Sequence, residues 1–362
     1  MCAWPTLRRA TILARMTIPV KALQKTGPDA PFQITTIQRR SPRADDVVID
    51  IKAAGICHSD IHTVRNEWGE ANFPLTVGHE IAGVVSAVGS EVTDWKVGDR
   101  VGVGCLVDSC GTCEMCQQGF ENHCLNGAVG TYNSVDVDGT ITQGGYAEKI
   151  VVSERFVCRI PDALDFDVAA PLLCAGITTF SPIVQWNVKE GDKVAVMGLG
   201  GLGHMGVQIA AAKGAEVTVL SRSLKKAEVA KSLGAVRTLA TSDESFFNDY
   251  RGEFDFILNT ISANINLGAY LGLLKPRGVM AVVGLPPEKQ PLSFGSLIGG
   301  SKVLTGSNIG GIPETQEMLD FCAEHGLGAR IEKISVHEVD EAYDRVVAGD
   351  VQFRFVIDTS TF

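Results

Sequence analysis

The segment DSCGTCEMCQQGFENHC sets four cysteines, Cys110, Cys113, Cys116 and Cys124, in one short polar stretch. The spacing C-x2-C-x2-C-x7-C lets a loop wrap one tetrahedral ion with four thiolates, a closed zinc site with no position left for a substrate. A ferredoxin-like run would bring the fourth cysteine three residues on and follow it with proline, and neither holds. This lobe is expected to hold structure and do no chemistry, disulfides or free thiols being the other readings of the same residues. An open metal position has to be built elsewhere. GICHSDIH offers Cys57, His58, Ser59, Asp60 and His62; VGHE offers His79 and Glu80; PLLCAGITTF offers Cys174. Two thiolates and one imidazole from these segments make a three-ligand zinc site whose fourth position is free to take an oxygen and act as a Lewis acid on it. Singly, each residue is weak evidence, because a cysteine in an apolar run is more often a small core residue.

A second chemistry sits further along. GDKVAVMGLGGLGHMGVQIAAAKGAEVTVLSRS runs from an apolar strand through Gly198, Leu199, Gly200, Gly201, Leu202 and Gly203 into a helix and then a second strand. In that βαβ context the glycines permit a tight turn and close backbone approach, and the helix N-terminus offers free N–H groups to a pyrophosphate. An NAD site would carry Asp or Glu at the end of the second strand. This chain has Ser221, Arg222 and Ser223 there, with Lys226 close behind, so hydroxyls and cationic groups can meet a 2′-phosphate and NADP(H) is the expected cofactor.

GHEIAGVVSAVGSEV, with Gly78, His79, Glu80, Gly83, Gly89 and Val92 in step, resembles the signature of the zinc-containing alcohol dehydrogenases of the medium-chain superfamily. GVGCLVDSCGTCEMC, TQGGYAE, APLLCAGITTFSP and GLGGLGHMGVQIAAAKG are most similar to its cinnamyl alcohol dehydrogenase branch, from about Val20 to the C-terminus. The resemblance implies two Zn2+ per chain, one on Cys57, His79 and Cys174 with Glu80 as an alternate ligand, the other in the four-cysteine lobe. It implies hydride transfer between NADP(H) and a primary alcohol or aldehyde. Ser59 and His62 would relay the proton, Asp60 would orient His79, and Thr178 and His58 would touch the cofactor. Trp68, Val129, Asn308 and Ile309 would line an apolar pocket for aromatic or medium-chain substrates. Plant members often carry tryptophan where this chain has LNGAVGTYN, which argues against a strictly phenylpropanoid preference. Cys105, Cys158 and Cys322 read as ordinary buried thiols. An NAD-linked polyol or formaldehyde dehydrogenase is the competing enzyme, and the Ser221-Arg222-Ser223 segment speaks against it. A non-catalytic nicotinamide-binding redox sensor would not need the open metal set.

The elements that must position these residues follow from pattern and size. At 362 residues, 45% hydrophobic and 20% charged, the chain is long enough for two domains. Residues 17–165 alternate between apolar and polar positions around glycine turns and read as a β-rich domain carrying the metal lobe at 105–127, which the resemblance implies is a GroES-like catalytic domain. KVAVMG, EVTVLS, FDFILNT and VMAVVG, separated by helical stretches, read as a doubly wound Rossmann domain over 166–304, an α/β fold. The resemblance sets the divisions at 165 and 304 and implies that residues 305–362 return to the first domain. The formal net charge of -10 disfavours nucleic acid and anionic membranes, and the lobe contains no Lys or Arg. No apolar run is long enough to cross a bilayer. MCAWPTLRRATILAR carries three arginines and no acid and reads as an extension before a start at Met16, with no export signal. A cytoplasmic location is expected, and the resemblance implies a homodimer.

Overall fold

The computed structural model describes residues 17–362; the extension and the start at Met16 lie outside the described residues. Two large sheets share the molecule. The first is built on the strand Asp46–Gly55, whose run DVVIDIKAAG is buried along nearly its whole length because it has partners on both sides. It pairs antiparallel with Ile81–Val88, Lys149–Ser153 and Arg354–Asp358. Arg100–Val103 and Cys158–Arg159 continue the sheet beyond Ile81–Val88. Val47, Ile49, Ile81, Val101 and Phe355 fill the β-rich core. The last segment therefore completes the first unit: Ile331–Ser335 lies parallel to Arg354–Asp358, which closes on Asp46–Gly55.

The second sheet is six-stranded and all parallel. Its order is Arg237–Ala240, Glu216–Ser221, Lys193–Met197, Phe254–Asn259, Leu274–Val282 and Val303–Gly306. Numbered along the chain, that is the 3-2-1-4-5-6 order of a dinucleotide-binding sheet, and the strand order reverses beside Lys193–Met197. The division placed at 304 falls inside the strand Val303–Gly306. The α/β class and the pairing of a β-rich unit with a doubly wound one hold.

Between the sheets lies the apolar stretch Phe166–Gln185. It is two helical pieces, Phe166–Leu173 and Ala175–Gln185, bent by 55° at Cys174. Cys174 has φ −127° and ψ −65°, off the helical path, so its thiol leaves the helix axis at the break. The helix Ile312–Glu324 packs on this pair through Thr315, Met318, Leu319 and Cys322, spaced at helical intervals. Among the described residues no single helix is long and apolar enough to cross a membrane.

Candidate active site

Cys57 precedes the short helix His58–Val64, and the Asp60 carboxylate of its first turn folds back to accept the Cys57 N–H at 2.9 Å. That bond fixes the thiol at the helix start. His79 and Glu80 lead into the strand Ile81–Val88. The strand brings them beside Cys57, and the helix break brings Cys174, its Sγ 3.8 Å from that of Cys57. Ligand atoms of Cys57, His79, Glu80 and Cys174, all buried, lie within 4.8 Å of one another. His79 donates Nδ1–H to Asp60 Oδ1 at 3.2 Å, which leaves Nε2 as the free donor atom. Nε2 is buried without a partner, the state expected of an imidazole prepared for a metal. The donor set and its burial fit a zinc ion with an open position.

Ser59 lies 3.6 Å from the Cys57 sulfur, oxygen to sulfur. His62 faces the same cleft, its Nδ1 bonded to the Glu67 carboxylate and its ring stacked on Trp68 at 4.7 Å. Glu80 pairs with Arg354 inside the protein, both side chains nearly or fully buried. Burial opposes the Arg354 charge, but Glu80, Cys57 and Cys174 outweigh it and raise the guanidinium further.

The lobe closes as its spacing predicts. Cys113 Sγ is 3.5 Å from that of Cys116 and 4.0 Å from that of Cys124, and Cys110 Sγ is 3.9 Å from that of Cys116. All four sulfurs fall within 4.8 Å of one another. Backbone donation from Thr112 leads the contacts that draw the Cys110 thiol down to about 5, which favours the thiolate a metal needs.

One cleft of about 1560 Å3 runs between the two units. Gly198, Gly200, Gly201, Leu202 and Thr178 line it on the nucleotide side, and Cys57, His58, Ser59 and Trp68 on the other. Gly198 has φ +87°, and a Cβ on Gly203 would sit 2.1 Å from the Gly198 carbonyl oxygen, so the turn closes only with glycine at both. Arg222 and Ser223 are exposed beyond the second strand, with Ser221 half-buried at its end. Lys226 is already engaged: its ammonium donates to the Leu199 carbonyl at 3.1 Å, within the glycine turn.

Three expectations change. The cleft is lined by Gly130 and not by Val129, because in this short strand Val129 pairs opposite Asp108 and the backbone of its neighbour faces the space; Asn308 and Ile309 do line it. The lobe does more than hold itself together, since Met115, Gln118, Phe120 and Asn122 wall the cleft. Cys105 is no ordinary core thiol: it faces the cleft, and hydrogen bonding with Cys174 lowers it to about 6, whereas burial pushes Cys158 and Cys322 up to about 12. Sequence reasoning also missed Arg354, which lines the cleft beside the Gly201 turn, and Tyr132, whose ring stacks on His79 at 5.6 Å. FRFVID reads only as a strand, and nothing local links its arginine to a carboxylate 274 residues away.

Comparison with known proteins agrees with this arrangement. The family model for the alcohol dehydrogenase GroES-like domain matches residues 43–162, and that for the zinc-binding dehydrogenases matches residues 201–324. A probable formaldehyde dehydrogenase, AdhA, of Bacillus subtilis is 57% identical over 94% of this chain and 98% of its own length. NADP-dependent alcohol dehydrogenase C 1 of Mycolicibacterium smegmatis is 58% identical over the same shares. Among solved structures, a cinnamyl alcohol dehydrogenase of Sorghum bicolor superposes with a TM-score of 0.92 at 41% identity, covering 95% of this chain and 98% of that one. The Helicobacter pylori enzyme complexed with NADP(H) gives 0.90 at 41% identity, covering 95% and 99%.

Proposed function

This chain belongs to the zinc-dependent alcohol dehydrogenase family that includes the cinnamyl alcohol dehydrogenases, and from that premise we propose that it transfers hydride between NADP(H) and primary alcohols or aldehydes of aromatic or medium-chain type. The observation that carries the reading is the meeting, in one cleft, of the buried donor cluster Cys57, His79, Glu80 and Cys174 and a glycine turn at the switch point of a parallel sheet. Cys57, His79 and Cys174 hold the catalytic zinc, with Glu80 as alternate ligand, and Cys110, Cys113, Cys116 and Cys124 hold the structural one. When bound, the catalytic metal supplies Lewis acidity to the substrate oxygen.

The remaining work falls to the chain's own groups. Ser59 passes the proton from the substrate oxygen, and His62 carries it to solvent while Glu67 accepts its Nδ1–H and fixes the ring. Asp60 orients His79. Arg354, Thr178 and His58 meet the cofactor along the cleft, the guanidinium lying beside the turn that takes the pyrophosphate. Ser221, Arg222 and Ser223 take the 2′-phosphate, and Lys226 adds positive charge while bracing the turn. The wall is mixed: Trp68, Phe120, Tyr132 and Ile309 supply apolar surface for an aryl or alkyl group, with Asn308 at the rim. The unpaired thiols support a reducing, cytoplasmic setting. A homodimer belongs to the same reading, supported by the open edge of Val303–Gly306 and by exposed Leu285, Phe294 and Ile298 nearby in the chain.

The test is initial rates for a panel of aldehydes with NADPH and NADH side by side, on protein analysed for metal. Two zinc ions per chain and a preference for NADPH are expected. Arg222→Ala should raise KM for NADPH by roughly 10- to 150-fold, a charged hydrogen bond being worth about 1.5–3 kcal/mol, with little change for NADH. Equal losses with both cofactors, or one zinc per chain, would contradict the assignment.

A further inference from the structure

We propose that Tyr146 is a positioning residue for the metal centre: its phenol holds the Asp60 carboxylate in the orientation that aims His79 and anchors Cys57, and thereby governs how firmly the metal is retained. The inference rests on the reading of Cys57, His79 and Cys174 as metal donors. Asp60 is fully buried, and each of its oxygens takes two donors. Oδ1 accepts the Gly78 N–H at 3.3 Å and the His79 Nδ1–H at 3.2 Å. Oδ2 accepts the Cys57 N–H at 2.9 Å and the Tyr146 hydroxyl at 3.0 Å. Three of these donors belong to the ligand segments that Asp60 has to organise. Only the Tyr146 hydroxyl comes from outside them, 86 residues along the chain, so it alone ties the carboxylate to an independent part of the fold.

Tyr146 is itself firmly placed. The segment GGYA runs beside TVG, with Gly144 N–H to the Thr76 carbonyl at 2.7 Å, Tyr146 N–H to that of Val77 at 3.0 Å and Gly145 N–H to that of Gly78 at 2.8 Å. Its ring packs against Gly78, where a Cβ would fall 2.4 Å from Tyr146 Cδ1 and φ is +103°. The glycine that precedes the metal-binding histidine is thus accounted for by this ring. Behind it, Tyr343 from the helix Val339–Ala348 brings its hydroxyl to 3.4 Å from that of Tyr146, and Phe32 packs on both rings at 5.1 and 6.1 Å. Because Tyr146 donates its hydrogen to Asp60, Tyr343 donates to Tyr146, and the two bonds point one way, toward the carboxylate. Without the Tyr146 hydroxyl, Oδ2 keeps one donor in a fully buried site and the carboxylate can turn away from His79.

The experiment compares Tyr146→Phe and Tyr343→Phe with the parent in their two-zinc forms. Outer partners of metal ligands typically change affinity 10- to 100-fold, so Tyr146→Phe should release one of its two zinc ions to a chelator about 10-fold faster, with the lobe ion and the KM for NADPH unchanged. The visible d–d band of the cobalt-substituted site should shift with it. Tyr343→Phe, also buried but one bond further from Asp60, should lower Tm and keep parental metal release. If Tyr146→Phe folds poorly because Tyr343 loses its acceptor, the double Phe variant removes that defect and carries the same expectation. Parental release in Tyr146→Phe or in the double variant, or equally fast release in Tyr343→Phe alone, would overturn the proposal. A parent holding one zinc per chain would overturn the catalytic-metal reading instead.

Discussion

At the scale of single residues, the proton path is the most exposed to test. His62 sits near the end of the helix that starts beside Cys57, faces the cleft, and is held between the Glu67 carboxylate and the Trp68 ring. A group so placed, half in the cleft and half toward solvent, can take a proton from Ser59 and release it outside. A positioned acid/base group typically contributes about 10²- to 10⁴-fold. His62→Gln should slow alcohol oxidation toward that range, most at low pH where hydroxide cannot substitute, and added imidazole should partly restore the rate. Pre-steady-state oxidation across pH, with and without the added base, measures this. A parental profile without a response to imidazole would show that the proton leaves elsewhere. Ser59 and His62 were legible only through the family resemblance, two and five residues after Cys57. Glu67 escaped notice because an acidic residue in a polar turn has no periodic signature, and its role appears only when the loop curls back over the imidazole.

At the scale of elements, the cysteine lobe joins structure to specificity. Its sulfurs close on one another across a glycine turn and two short helices, while the same few residues present Met115, Phe120 and Asn122 to the cleft. Asn122 also donates to the Asn308 carbonyl at 2.8 Å, and Glu121 accepts the Ile312 N–H at 2.9 Å. The lobe therefore docks on the start of the helix Ile312–Glu324. Cys113→Ser should lose one zinc and lower Tm by about 10 °C, loss of a structural metal being among the few changes worth more than about 4 kcal/mol, at about 2–4 °C per kcal/mol. It should also raise the KM for the aldehyde, because the wall moves with the lobe. Calorimetry together with steady-state rates separates the effects, and a changed Tm with an unchanged KM would mean that the wall stands without the metal. The spacing of the cysteines made the closed site legible, but nothing in DSCGTCEMCQQGFENHC shows that its outer face is a pocket wall, since that depends on a helix nearly two hundred residues later.

At the scale of the whole molecule, the parallel sheet ends in an open edge at Val303–Gly306, and Leu285, Phe294 and Ile298 nearby in the chain are 61%, 73% and 77% exposed. Unpaired N–H and C=O groups flanked by apolar side chains favour pairing with a second copy. Sedimentation should find a dimer, and a Phe294→Lys, Ile298→Lys variant should shift it to monomer at micromolar concentration with the fold retained; an unshifted dimer would place the contact on another surface. The sequence by itself determined the donor types, the closed lobe, the glycine turn, the absence of an acid after the second strand and the succession of β-rich and doubly wound units. Each of these is written within one turn, one strand or one βαβ unit, where spacing alone sets geometry. Tertiary structure decided the rest. It brought Cys57, His79, Glu80 and Cys174, named from the sequence, into one buried cluster, because the helix breaks at Cys174. It turned Gly130 and not Val129 to the cleft, buried Arg354 against Glu80, and set Tyr146 behind Asp60. These contacts join segments far apart in the chain through strand pairing and core packing, and local spacing carries no record of which distant residue that pairing will bring.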